Sequence, residues 1–309
     1  MNDPLRLLGH IGLPAHTGPG GFDHAAIDAA SGHVYVAHTA NDAVDVLDPA
    51  SGAYLFSVPD LPGVAGVLVS DEAKLVIASA RGENTIGIFA PGPAPTVRKV
   101  TVGLKPNGLA FDSRRGVIIA ANIGDPAIPG SRTLSVVDLE ATKMRSEIAV
   151  AGRTRWALYD AGTDSFYVNI AEPSHIVVVD GRDPARVARV INVPAAGAHG
   201  LDLDPDSGRL FCACDAATLV VLESGSGQVV AQRPLSGVPD VVWFNRHRKQ
   251  VYVAIGDPGT IDIFDTAAME RIGSVATEKG AHTTALAPSG DRVYALLPAS
   301  HRAAVYQVA

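Results

Sequence analysis

The chain has almost no cysteine, few aromatic residues and no concentrated positive charge, and each shortage removes a class of function. Its two cysteines, Cys212 and Cys214, stand two apart on an expected strand, so both side chains leave the same face. A disulfide between them would be strained, and they read as buried free thiols. The longest basic cluster is Arg246-His247-Arg248-Lys249, in a chain of net charge −7. Nucleic acids and anionic membranes require a concentrated cationic footprint, so neither is an expected partner. No stretch approaches the roughly 18 apolar residues of a membrane-spanning helix. The opening Met1-Asn2-Asp3-Pro4-Leu5-Arg6 lacks the basic segment and apolar run of a signal peptide, which makes a cytoplasmic location the expectation. There is no Gly-x-Ser-x-Gly elbow, P-loop, Rossmann glycine fingerprint, Cys-x-x-Cys pair or His-Glu-x-x-His helix. A serine-triad hydrolase and a nucleotide-dependent enzyme are therefore disfavoured.

What the chain does have is repetition. Hydrophobic residues make up 47% of it, with Gly 31 and Pro 21 to supply turns. A unit of about 42 residues recurs seven times, marked by a strand of the form apolar-Tyr/Ile-Val-Ala, a polar turn, and an alternating strand ending in Asp. The first copy runs from His33-Val-Tyr-Val-Ala-His38 to Ala43-Val-Asp-Val-Leu-Asp48; a later one runs from Val251-Tyr-Val-Ala254 to Ile261-Asp-Ile-Phe-Asp265. Short alternating segments punctuated by Asn-Asp, Gly-Asp, Ser-Gly and Asp-Pro predict antiparallel strands, with no convincing amphipathic helix. Each unit reads as four strands, and seven such units predict an all-β, seven-bladed propeller in a single domain. The blades fall at about residues 22–60, 62–103, 105–151, 153–194, 197–236, 238–279 and 281–309 plus 5–13. The last repeat stops after its third strand, while Leu5 to Leu13 resembles the fourth strands Arg186 to Val193 and Arg271 to Val275. The N-terminal strand should complete blade seven, closing the ring and removing an exposed edge.

Tyr167-Val168-Asn169, Tyr35-Val36-Ala37-His38 and Tyr252-Val253-Ala254 resemble the second-strand motif of the YVTN-type (YncE-like) seven-bladed propeller repeat family. The resemblance covers essentially the whole chain and implies the fold. Related propellers include lactonases, a streptogramin-cleaving lyase and non-catalytic binding proteins, so it does not choose among functions.

In such a ring the residues that begin each inner strand surround one mouth of the central channel. Aligning the seven copies gives Asp23, Ala65, Asn107, Arg155, His199, Asp240 and His282, at spacings of 42, 42, 48, 44, 41 and 42. The long step is explained by Gly124 to Ser131, which enlarges one turn on the same face. His199, Asp240 and His282 fall in consecutive blades, and blade one follows with Asp23-His24, of which a strand presents only one to a given side. Imidazoles beside carboxylates suit a divalent ion such as zinc, manganese or iron, which could activate water and polarise a carbonyl. Ligand contact without a metal, and hydration of a purely structural mouth, are the alternatives. Arg155, followed by Trp156, could hold a carboxylate or phosphate oxygen, Asn107 could orient a substrate, and Glu278 could move a proton. His38, His175 and His301 are expected on the rim, and His10, His16, His33 and His247 at the periphery.

The leading expectation is a small-molecule hydrolase or lyase that opens an ester or lactone with a divalent metal. A second is a non-catalytic propeller that binds a protein or peptide through rim residues such as Arg81, Glu172 and Asp257. A third is a metal-free isomerase or cyclase using histidines as acid and base. A monomer is the default expectation.

Overall fold

Strand formation follows from where each segment must be buried. The second strands, such as Val34–His38 and Val117–Asn122, are buried along their whole length, because blades pack against both of their faces. The fourth strands, such as Lys143–Ala149 and Glu270–Ala276, alternate and stay largely exposed, because they form the outer rim. A computed structural model describes residues 4–309 and places 28 strands in seven four-stranded antiparallel sheets. The one helical element among the described residues is a 3-10 turn at Thr39–Asn41. The protein is a seven-bladed β-propeller.

The core is divided among the blade interfaces rather than gathered at a centre. Val117, Ile119 and Val136 of blade three pack on Phe166, Val168 and Val179 of blade four. Tyr35, Val44 and Val46 of blade one meet Val64, Val76 and Phe89 of blade two in the same way. Seven such clusters follow one another around the ring. Closure occurs as the repeat predicts: Leu5–Gly12 pairs antiparallel with Arg302–Val308, from Leu5 opposite Val308 to Gly12 opposite Arg302.

Two features of the inner strands determine what the mouth can hold. Gly66, Gly108 and Gly200 each follow a mouth residue, and a Cβ there would strike the carbonyl oxygen of Asn107, Arg155 or Asp240 on the next blade. Neighbouring inner strands thus touch backbone to backbone, which crowds the mouth side chains together. The tyrosine-valine motif has a structural use here. Asn169 Nδ2 donates to the carbonyls of His199 and Gly200, at 2.9 and 3.1 Å, and ties blade four to the inner strand of blade five. Ser79 serves the same purpose between blades two and three, accepting from Gly66 N and donating to Asn107 O.

Candidate functional site

The aligned mouth residues do converge, and they do so as a chain of ion pairs. His199 Nδ1 lies 2.7 Å from Asp215 Oδ1, and its Nε2 lies 3.2 Å from Asp240 Oδ1. Arg155 rests against the same ring, with Nη1 3.2 Å from His199 Nε2 and Nη2 3.3 Å from Asp215 Oδ2. His282 Nε2 stands 3.9 Å from the other oxygen of Asp240. Its Nδ1–H donates to the carbonyl of Gly280 at 2.8 Å. The connected groups are therefore Arg155, Asp215, His199, Asp240 and His282.

Across the mouth, Asp23 Oδ2 accepts from Arg81 Nη2 at 2.8 Å, and the same guanidinium donates to Asn107 Oδ1. His24 lies deeper. It is 7% exposed, its Nε2 is 3.5 Å from Asp23 Oδ1, and its ring stacks on Trp156 at 4.3 Å and 30°. Asp23 thus belongs to the mouth and His24 to the channel below it. Ala65 is fully buried and contributes no chemistry.

Charge is strongly organised. Burial alone would lower the His199 pKa, but Asp240, followed by Asp215, outweighs it and lifts the group to about 9. Burial would raise Asp240, yet His199 first and then His282 and His24 hold its carboxyl well below the usual range. Asp215 is lowered in the same manner, with burial opposed by His199 and Arg155. At neutral pH His199 is a buried cation between two carboxylates. His24 is driven the other way, because burial outweighs its attraction to Asp23 and Asp240 and keeps it neutral.

This arrangement does not fit a divalent ion. Both nitrogens of His199 are engaged, and a guanidinium occupies the space beside the one that would ligate, so a second cation there meets direct repulsion. No group of three or more His, Cys, Asp or Glu side chains among the described residues could hold a metal ion. Glu278 is also committed elsewhere: its Oε1 accepts the backbone N–H groups of Ala299 and Ser300 at 2.5 and 3.2 Å, joining two loops. His282 lines a cleft of about 420 Å³ with His199, Pro239, Asp240, Gly256 and Lys279.

Sequence alignment misses several groups. Asp215 and Arg81 each directly follow a second strand, Arg209–Cys214 or Leu75–Ala80. That shared position is the signal that could have found them. Arg153 is also missed. Burial lowers its pKa, reinforced by the nearby guanidinium groups of Arg155, Arg81 and Arg132. Blades two to four therefore carry a cationic sector of the mouth. His38 is not on the rim, since it is fully buried with Nδ1 2.7 Å from Asp45 and Nε2 2.7 Å from His16 Nδ1. His16 is correspondingly not peripheral, and its ring also stands 4.3 Å from that of His301. The two cysteines are buried free thiols, their sulfurs 3.9 Å apart.

No protein-family model and no curated protein matches the chain. Solved structures do match it. Hydrazine synthase from Kuenenia stuttgartiensis aligns over 96% of this chain and 97% of its own, with a TM-score of 0.81 and 14% identity. A chain of the mitotic checkpoint complex aligns over 98% and 91%, with a TM-score of 0.82 and 13% identity. At such identities the likeness establishes the propeller fold and leaves function to the site itself.

Proposed function

We propose that the protein handles a small molecule bearing an ester, lactone or carboxylate at the channel mouth, by acid–base chemistry that needs no metal. The observation that carries this reading is the sharing of Asp240 between two unlike imidazoles. His199 is 14% exposed and held cationic, whereas His282 is 35% exposed and faces the cleft. Because His282 Nδ1–H is used by Gly280 O, the neutral ring presents a lone pair on Nε2. That nitrogen takes a proton from water attacking the carbonyl, or from the carbon beside it, and Asp240 stabilises the imidazolium that forms. Cationic His199 and Arg155 favour the negative charge that develops on the carbonyl oxygen. Arg153 and Arg132 extend the same field toward a carboxylate farther along the molecule.

The protein-binding alternative has less support. Most large exposed apolar residues, including Leu7, Tyr54, Met144, Val190, Val229 and Ile272, lie on outer strands rather than on the mouth face. The test is turnover of a panel of aryl esters and lactones across pH, with and without a chelator. Activity should survive chelation and fall by about 100-fold in His282→Gln, the usual scale of a lost general base. Full activity in that variant, or activity abolished by chelator and restored by Zn²⁺ or Mn²⁺, overturns the proposal.

A further inference from the structure

Below the His24–Trp156 stack the channel widens into a second cavity of about 380 Å³, walled by residues from all seven inner strands. It lies toward the opposite face from the mouth, since Ile27, Ser70, Ser113 and Pro288, at or beyond the far ends of inner strands, help to line it. The volume is within the range of small-ligand sites. The wall is mainly apolar, with Leu68, Ala110 and Leu158 among its members. Two features depart from that background. Trp156 and Trp243 meet edge to face, with ring centroids 5.9 Å apart at 89°, and form an aromatic corner. Asp202 supplies the one carboxylate of the lining.

Asp202 is anchored by backbone amides. Its Oδ1 accepts from Leu203 N at 2.8 Å and its Oδ2 from Phe244 N at 2.6 Å, and no cation among the described residues pairs with it. Each oxygen keeps a lone pair free. Burial lifts the group to about 7, against the two amide bonds. The other titratable groups on the wall are His24, kept neutral by burial, and Tyr159, whose hydroxyl donates to Asp164 and which burial raises further. The cavity thus combines two indole rings, an apolar wall and a single carboxylate without a counter-ion, which carries its negative charge above about pH 7. A cation with an apolar surface answers all three, because aromatic faces attract weakly hydrated ammonium groups and the carboxylate balances their charge.

We propose that this cavity binds a small organic ammonium ion, of the quaternary or arylalkyl type, between the Trp156–Trp243 corner and Asp202. The His24–Trp156 stack stands between this site and the mouth groups, and none of His199, Asp240 and His282 lines the cavity. Both tryptophans of the chain (Trp 2 in all) line the cavity, so intrinsic indole emission reports on it directly. The experiment titrates the full chain at about pH 8.5, where Asp202 is ionised, with choline and benzyltrimethylammonium, and with the neutral choline isostere 3,3-dimethylbutan-1-ol. A saturable emission change is expected with the cations, at affinity at least about tenfold above the isostere, and Asp202→Asn should remove that preference. Equal response to cation and isostere overturns the proposal. So does the absence of saturation with any cation up to about 10 mM, which leaves binding too weak to count as a site. The comparison of cation with isostere on the unaltered protein decides the matter even if Asp202→Asn fails to fold.

Discussion

Replacing Asp240 with Asn removes a charge while keeping the side chain's shape, and it acts on the group whose electrostatics are most displaced. His199 has an ordinary value of 6.5 and stands at about 9 in the folded protein. The gap corresponds to about 3 kcal/mol of preference for the protonated, folded state. Solvent screening takes little from this, since the His199 side chain is only 14% exposed. Because the folded value is raised, the stabilisation is complete below pH 6.5 and is lost as pH climbs through about 9. The depressed Asp240 describes the same interaction from its other side, so the two effects are not added. In Asp240→Asn, His199 retains Asp215 alone, and the variant should lose roughly 2 kcal/mol at pH 6.5. The deficit should shrink steadily toward pH 10, where the wild-type imidazole is neutral as well.

Urea unfolding of both proteins at half-unit steps from pH 6 to pH 10 measures that difference. Other groups titrating in the window cancel in the subtraction, provided they lie away from the mouth. A deficit that stays constant across the whole range would refute the reasoning, because it would trace to packing rather than to the imidazolium. An NMR titration offers a second check: a His199 ring, assigned by its absence in His199→Gln, that titrates near 6.5 contradicts the pairing outright.

Three further outcomes follow from the same structure. Asn169→Ala leaves the carbonyls of His199 and Gly200 without their donor in a buried seam, and should cost about 2–3 kcal/mol in chemical denaturation; an unchanged midpoint would count against the strut between blades four and five. Removing residues 1–12 takes away the fourth strand of blade seven and exposes the edge of Arg302–Val308, so the truncated chain should elute as aggregates in size-exclusion chromatography, and a monomer of unaltered melting temperature contradicts it. His24 and His16 are both lowered, chiefly by burial. The unfolded chain then binds protons more readily, so stability should fall as pH drops through about 6.5. The fall should be shallower in His24→Gln, as thermal melts at pH 7.5 and 5.5 would record.

The architecture was readable because it is periodic. A 42-residue spacing survives turns of different length, and a surplus first strand beside an incomplete last repeat leaves one plausible closure. The mouth positions were readable for the same reason, since the ring level of Asn107, Arg155, His199, Asp240 and His282 is fixed by the inner strands. Their partners were not. Arg81 reaches Asp23 across 58 residues of sequence, and Asp215 reaches His199 from the turn after the second strand of the same blade. The same histidines and carboxylates would suggest a metal or an ion-pair chain equally well, and the Arg155 guanidinium against His199 favours the ion-pair chain. His38 was misread because its strand ends at the rim. The segment carrying His16 and Phe22 folds over that end and buries it, with rings 4.9 and 4.6 Å from His38.

The inward crowding of the inner strands also accounts for why the proposed chemistry falls to one imidazole. Where inner strands meet at Gly66, Gly108 and Gly200, side chains from adjoining blades are pressed together and their charges satisfy one another. His199 is saturated in this way, as are Asp23 and Asn107. At blade seven the balance differs. Gly256, beside the ring, lacks the Cβ that would sit 3.2 Å from His282 Cβ, and the cleft opens in the space this leaves. His282 consequently stays 3.9 Å from Asp240, near enough to feel its charge and too far for a hydrogen bond to occupy Nε2. A larger residue at Gly256 should therefore silence the mouth without disturbing the His199 pairs. Gly256→Val is expected to lose turnover while the His199 titration near 9 persists, and loss of both together would mean that the cleft and the ion-pair chain are one structure rather than two.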